Sequence, residues 1–183
     1  MKSKKRVKVF KYKTVFKGLG FTIEQAKATF PSGKTSLFER AVRPPAVIIL
    51  ALDNKGKLLL NYEYRQKAKA YEWRLPAGRV EPGELPKHAA QRELQEETGY
   101  KAKILKLFYI SDIAHSLVWK RYVYIAKGLS YSPRKQDEDE DIKIVPVSLK
   151  KAFEMVLAGK IKNDLMAYMI LKFYFQRKKF GFE

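Results

Sequence analysis

The chain opens on an imperfect alternation. Val7-Lys8-Val9-Phe10-Lys11-Tyr12-Lys13-Thr14-Val15-Phe16-Lys17 sets apolar against polar positions, as a half-exposed strand does. Segments 21–30 and 35–42 repeat the theme around the turn Pro31-Ser32-Gly33-Lys34, which predicts a hairpin. The pattern then changes. Ala46-Val47-Ile48-Ile49-Leu50-Ala51-Leu52 is continuously apolar, the signature of a strand covered on both faces. Asp53-Asn54-Lys55-Gly56 predicts a tight turn, with Lys57 to Tyr64 returning as the next strand. Residues 85–98 carry helical spacing between Gly83 and Gly99, and segments 101–110, 119–127 and 142–147 return to strand character. Ser148 is placed to cap a helix running to Ala158, which Gly159 stops. A last helix over 163–178 sets Leu165, Met169, Ile170 and Phe173 on one stripe. Sheet first, helices inserted and appended, is an α+β chain.

Length and composition narrow the picture without changing it. The 183 residues suit one domain with a small extra lobe, and 46% hydrophobic residues supply a packed core. Apolar runs fall short of the ~18 residues of a membrane span, and no apolar stretch follows the basic start, so neither a membrane partner nor a secretory signal is expected. The absence of cysteine excludes disulfides, thiolate nucleophiles and cysteine metal sites, and the expected compartment is the cytoplasm.

Charge is more informative. The formal balance is +19, with eight Lys/Arg and no acid in residues 1–20. Such an excess attracts polyanions, nucleic acid among them, but basic tails also serve as solubilising surface, and the second reading is the one adopted. The acids are concentrated instead of spread. Glu81, Glu84, Glu93, Glu96 and Glu97 lie within residues 78–97, and Asp137-Glu138-Asp139-Glu140-Asp141 holds five more of the nineteen. Glu93 and Glu97 share a helix face one turn apart, with Glu96 at its border. Like charges at that spacing destabilise a bare helix but suit a hard divalent cation, Mg²⁺ or in its place Mn²⁺. A glutamate-rich surface helix is the plainer alternative that spacing alone leaves open. A loose phosphate-loop pattern at residues 28–35 is rejected, because Ala28 replaces its first glycine and Phe30-Pro31 stiffens its middle.

Residues 78–100 decide the matter. Gly78, Glu84, Arg92, Glu93, Leu94, Glu96, Glu97 and Gly99 occupy every fixed position of the Nudix box, G-x5-E-x7-R-E-U-x-E-E-x-G-U, with Tyr100 in place of its final aliphatic residue. The chain therefore resembles the Nudix hydrolases. Leu58 to Arg65, Trp73-Arg74-Leu75-Pro76-Ala77-Gly78 and the stretch from Asp137 to Asp164 extend the likeness to the ADP-ribose pyrophosphatases of that family.

The resemblance implies an α/β/α sandwich with a mixed sheet over residues 44–183, and an N-terminal antiparallel β lobe over 1–43. That lobe would build a homodimer, with Phe10, Phe16, Phe21 or Phe30 covering the interface or the lobe core. It implies Mg²⁺-dependent cleavage of the pyrophosphate in ADP-ribose or a related nucleotide sugar, a nucleoside-diphosphate substrate, into two monophosphates. The metal would be held by Glu93, Glu96, Glu97 and the carbonyl of Ala77, and Arg65 would contact substrate phosphate. Glu138 would activate water, with Glu140 and Glu96 as the other candidates, and Glu84 and Arg92 would form an ion pair orienting the helix. Two departures stand out: Arg74 replaces the subfamily's usual glutamate, and Ser111 to Ser116 replaces a Ser-Pro-Gly loop. The rival readings are a hydrolase of RNA 5′ ends or dinucleoside polyphosphates, and a non-catalytic nucleic-acid-binding module on the same fold. Trp73, Tyr64 and Tyr109 are aromatics suited either to stacking on a base or to the core.

Overall fold

The computed structural model describes residues 7–66, 68–135 and 141–181. The element order is β1 (Lys8–Val9), β2 (Lys13–Lys17), β3 (Thr22–Thr29), β4 (Thr35–Val42), β5 (Ala46–Ala51), β6 (Leu58–Arg65), β7 (Ala70–Arg74), β8 (Ala77–Arg79), α1 (Pro86–Thr98), β9 (Tyr100–Ala114), β10 (Leu117–Tyr131), β11 (Ile142–Val147), α2 (Leu149–Leu157) and α3 (Asp164–Gln176), followed by a 3₁₀ turn at Arg177–Phe180. The mixed sheet and three helices make the α+β architecture expected from the pattern. The chain forms two compact units, one holding the described residues up to Pro45 with Ser111–Arg121, the other Ala46–Ile110 with the residues from Tyr122 onward.

In the first unit β3 pairs antiparallel with β1, β2 and β4. The single strand expected over 7–17 is divided. Phe10 still bonds Lys27, but one extra residue enters before Lys13 pairs with Gln25, and another shift falls between Thr14 and Phe16. Each insertion bends a strand and breaks its ladder locally. The Pro31–Lys34 segment is a hairpin turn, closed by Phe30 N–H to the Lys34 carbonyl at 2.9 Å, with Gly33 at φ 86°. Segment 111–116 is not the loop that the resemblance suggested. It is the end of β9 and a two-residue turn into β10, whose Leu117 and Val118 pair parallel with Ala41 and Val42 of β4.

The second unit is organised by β5. Its alternate residues feed two cores, which is why the sequence shows no polar break there. Val47, Ile49 and Ala51 pack with Ala89, Ala90 and Leu94 of α1. Ile48, Leu50 and Leu52 pack with Ala152 and Met155 of α2 and with Leu165, Met166, Met169, Ile170 and Phe173 of α3. Each such large side chain, removed from water, contributes about 1.5–3 kcal/mol before entropy is counted. β5 lies between β10 and β8 in its sheet. The turn at 53–56 forms as expected, with Asp53 Oδ1 accepting from the amides of Lys55 and Lys57 at 2.8 Å. β6 does not, however, return along β5. After one bridge, Leu52 to Leu58, it leaves to form a second sheet, ordered β11-β6-β7. That departure turns one face of β6 towards α1.

The helices begin and end as their sequences require. Pro86 opens α1, and Gly99, at φ 75°, closes it with its N–H on the Gln95 carbonyl at 3.0 Å. Ser148 caps α2 and Asn163 caps α3, each side chain accepting a backbone N–H at 3.1 Å. Among the described residues, no helix is long and apolar enough to cross a membrane.

Candidate active site

The loop before α1 folds on itself. Glu84 N–H bonds the Glu81 carbonyl, and Glu84 Oε2 accepts from the Glu81 amide, both at 3.0 Å. This places the Glu84 carboxylate opposite Arg92, two turns into the helix. Arg92 then gathers the whole segment. Its Nε and Nη2 bond the two oxygens of Glu84 at 3.0 Å, Nη2 also reaches the Arg79 carbonyl at 2.8 Å, and Nη1 bridges Glu93 Oε1 at 2.8 Å and Glu96 Oε2 at 2.9 Å. The bonds to Glu84, and then the field of Glu93, raise the guanidinium pKa well above its ordinary value. In turn, Arg92 holds the Glu84 carboxyl below the usual glutamate range.

Glu93 and Glu97 are buried on the inner side of α1. The Glu93 carboxylate lies against Gly78 so closely that a Cβ there would stand 1.9 Å from its carboxyl carbon. Gly78 is thus required by contact and not by backbone conformation. Glu97 Oε2 accepts twice, from the Ala77 amide at 3.0 Å and from Asn61 Nδ2 on β6 at 2.8 Å. Gly99, as the helix stop, sets where the turn bearing these carboxylates ends.

Facing α1 is a second charged group on β6 and β7. Asn61, Glu63 and Arg65 alternate along β6, so they share a face. Glu63, buried, takes Arg65 on Oε1 and Arg74 Nε on Oε2 at 3.1 Å. Arg74, directly opposite Asn61 in the β6–β7 ladder, has its pKa lowered by burial first and by Arg65 second, against the opposing field of Glu63. The residue that departs from the subfamily pattern is therefore built into the ion cluster that carries Arg65. Neither Asn61 nor Glu63 was singled out from sequence. The available signal was their period-two spacing with Arg65.

The structure brings Ala77, Gly78, Glu84, Arg92, Glu93, Glu96, Glu97 and Gly99 together around α1, and puts Arg65 on the strand face whose Asn61 bonds Glu97. Glu138 and Glu140 lie outside the described residues. The flanks of their segment are tied to site-bearing elements. On one side Gln95 Nε2 bonds the Ser132 carbonyl at 2.7 Å, and on the other Asp141 accepts from the Tyr71 hydroxyl while its carbonyl takes the Tyr64 amide at 3.1 Å. Across β6 and β7, Tyr62 stacks on Tyr71 and lies tilted against Trp73, with centroids 4.6 Å apart, while Tyr64 meets Tyr71 edge-on. Tyr109 packs edge-on against Tyr168 of α3.

Among the described residues, no three carboxylate or imidazole groups form a ready-made metal cage. The donor set nevertheless suits a hard cation. Glu93 and Glu96 already share one positive group, the Arg92 guanidinium, and Glu97 is held beside them by neutral donors.

An acidic helix anchored by arginine on one side of a β–α–β core, opposite an arginine-bearing strand, is the arrangement of a Nudix hydrolase. The NUDIX domain model matches residues 42–164, and the chain belongs to that family. Its relatives narrow the class. The chain is 34% identical over 162 residues to the ADP-ribose pyrophosphatase of Bacillus subtilis (strain 168), covering 85% of this chain and 86% of that one. It is 30% identical to the ADP compounds hydrolase NudE of Escherichia coli (strain K12), over 77% of each. A crystal structure of an ADP compounds hydrolase superposes with a TM-score of 0.84 at 26% identity, over 99% of both chains. The protein is an enzyme, a Nudix hydrolase of the ADP-ribose pyrophosphatase-like group, and Nudix hydrolases generally use divalent metal ions.

Proposed function

We propose that the enzyme hydrolyses the pyrophosphate of ADP-ribose or a related ADP- or nucleotide-sugar into two monophosphates, with Mg²⁺ as the cation. The observation that carries this reading is the set of three glutamates on α1, held by Arg92, Asn61 and the Ala77 amide. Glu93, Glu96, Glu97 and the Ala77 carbonyl are the groups we assign to the cation. When bound, such an ion offsets pyrophosphate charge and lowers the pKa of a water molecule. Arg65, exposed at the end of β6, is assigned to hold substrate phosphate against the site. Glu138 is assigned to take the proton of the attacking water. Arg92 and Glu84 act on architecture, fixing the loop and the helix that bear the carboxylates. We place this chemistry in the cytoplasm, where nucleoside-diphosphate compounds are made and used.

A substrate panel with Mg²⁺ tests the reading: ADP-ribose, nucleotide sugars, dinucleoside polyphosphates and 5′-triphosphate RNA, each with wild-type enzyme and with Glu97→Gln. The expected result is fastest turnover of ADP-ribose or a nucleotide sugar, lost in the variant. Preference for the RNA or the polyphosphates would move the substrate class, and an undiminished Glu97→Gln rate would remove α1 from the chemistry.

We also assign the region before residue 44 as a dimerisation lobe. Its support is exposed apolar surface along and beside β2: Phe10, Phe16 and Phe21 are all about half exposed, and Leu19 is fully so. Light scattering is expected to give a dimer, and an active particle of about the 21.3 kDa chain mass would overturn this assignment.

A further inference from the structure

Asn61 is a buried polar side chain whose pairing is half complete. It follows Leu58, Leu59 and Leu60, all buried, and is itself 1% exposed. Burying an amide costs free energy unless both its donor and its acceptor find partners. The donor is served, since Nδ2 bonds Glu97 Oε2 at 2.8 Å. The acceptor is not: Oδ1 is buried and meets no hydrogen-bond donor among the described residues. Reversing the amide does not relieve this. A carboxylate only accepts, so the nitrogen must face Glu97 and the oxygen must face away. Arg74, its neighbour across the ladder, directs Nε to Glu63 instead. An apolar side chain of similar size would fill this place in the strand without the cost.

We infer that Asn61 is a positioning residue of the hydrolytic site: Nδ2 fixes the Glu97 carboxylate, and Oδ1 receives an O–H donor that arrives with the bound ligand. The donor is either a hydration water of the divalent cation or a hydroxyl of the substrate. Glu97 Oε2 is held from two directions, by Asn61 and by the Ala77 amide, so its carboxylate is set in place before any ligand enters. Groups that orient a ligating carboxylate in this way commonly set the affinity of a site. The inference rests on the reading of Glu97 as a cation-binding carboxylate.

The test compares wild type with Asn61→Leu, which keeps the branching at Cγ in a somewhat larger side chain and removes donor and acceptor together, and with Asn61→Thr, which keeps a hydroxyl for Glu97. Thermal melting checks that both variants fold. Mn²⁺ titration followed by electron paramagnetic resonance, without substrate, reads the cation alone. The expected result is a Mn²⁺ dissociation constant raised about 10–100-fold in Asn61→Leu and less in Asn61→Thr, at a melting temperature equal to wild type or higher. Kinetics with ADP-ribose at saturating Mn²⁺ then separate the two donors. An unchanged KM assigns Oδ1 to the hydration water, and a KM raised about tenfold assigns it to a substrate hydroxyl. Wild-type Mn²⁺ affinity and KM in Asn61→Leu, in an enzyme that Glu97→Gln does inactivate, would overturn this inference alone. If Glu97→Gln also leaves Mn²⁺ binding and turnover intact, the reading of α1 falls, and the inference with it.

Discussion

Two charged hubs in this enzyme are built with opposite signs. On the helix side a single cation, Arg92, serves three carboxylates, Glu84, Glu93 and Glu96. On the sheet side a single carboxylate, Glu63, serves two cations, Arg65 and Arg74. Among these ion pairs carboxylates outnumber cations around Arg92 and cations outnumber carboxylates around Glu63, with Glu97 and Glu72 adding their fields at Arg74. A divalent cation bound to a pyrophosphate presents both signs in one complex. On the proposed reading the contrast divides the work, with α1 assigned to metal and β6–β7 to phosphate, and Asn61 joins the two through its bond to Glu97.

After the loss of turnover expected in Glu97→Gln, the largest effect we expect comes from the acidic segment between β10 and β11 in the chain. If the metal hub and the phosphate hub only bind and orient, then a separate group must accept the proton of water. Glu138→Gln keeps size and removes the proton acceptor, and kcat should fall roughly 10²–10⁴-fold with KM little changed. Glu140→Gln should do much less. Equal, small effects in steady-state kinetics would return the base to Glu96 and so to the helix hub itself.

Next in size is a change that displaces the helix hub without touching its charges. Gly78→Ala puts a methyl group where the Glu93 carboxylate now lies. The carboxylate must move by an ångström or more, and kcat should drop on the order of 10²-fold. Wild-type turnover in Gly78→Ala would mean that the position of Glu93 is not critical. The sheet hub should answer differently. Arg65→Ala removes a binding charge that acts alike on bound substrate and transition state, so KM should rise about tenfold, about 1.4 kcal/mol, while kcat holds. A fall in kcat at constant KM would instead make Arg65 a group that acts only in the transition state, and the division between hubs would fail.

The two hubs also differ in how far they were legible. The helix hub is contiguous, and α1 converts spacing directly into geometry: residues three and four apart meet, Pro86 and Gly99 mark the ends, and Arg92 finds Glu84 through one tight loop. The Ser148 cap of α2 was readable for the same local reason, whereas Asn163, read as the first residue of the last helix, is the cap of α3. The sheet hub depends on register. Glu63 meets Arg74 only because β6 leaves β5 after a single bridge and pairs with β7, a short strand that the pattern of residues 65–76 did not announce. Strand partners are chosen by tertiary packing, so Asn61 and Glu63 read only as positions of the strand over 57–64 and not as parts of a site. The β9–β10 hairpin was underestimated likewise, because its tip, at 111–121, belongs to the other unit and lacks the apolar pattern of its base.

The smallest effect isolates the ionic part of the helix hub. Glu84 has its carboxyl pKa lowered from 4.5, first by its hydrogen bonds from Arg92. A carboxyl whose pKa is depressed by folding binds fewer protons in the folded state than in the unfolded one. Its contribution is therefore complete above the unfolded value and is lost as pH falls through the depressed folded value. Arg92 adds no limit in this range, since its pKa moves upward and it stays charged. Glu84→Gln should cost about 1 kcal/mol at pH 7, the pair being partly screened by water, or about 2–4 °C in melting temperature. Melting of both proteins from pH 7 to pH 3 should show that gap steady down to about pH 5 and closing below it, as Glu84 protonates and comes to resemble the glutamine. A gap that stays constant to pH 3 would mean that Glu84 supports the loop by shape and neutral hydrogen bonds. Arg92 would then be left with only Glu93 and Glu96 as charged partners, and the excess of negative charge in the helix hub would be correspondingly smaller.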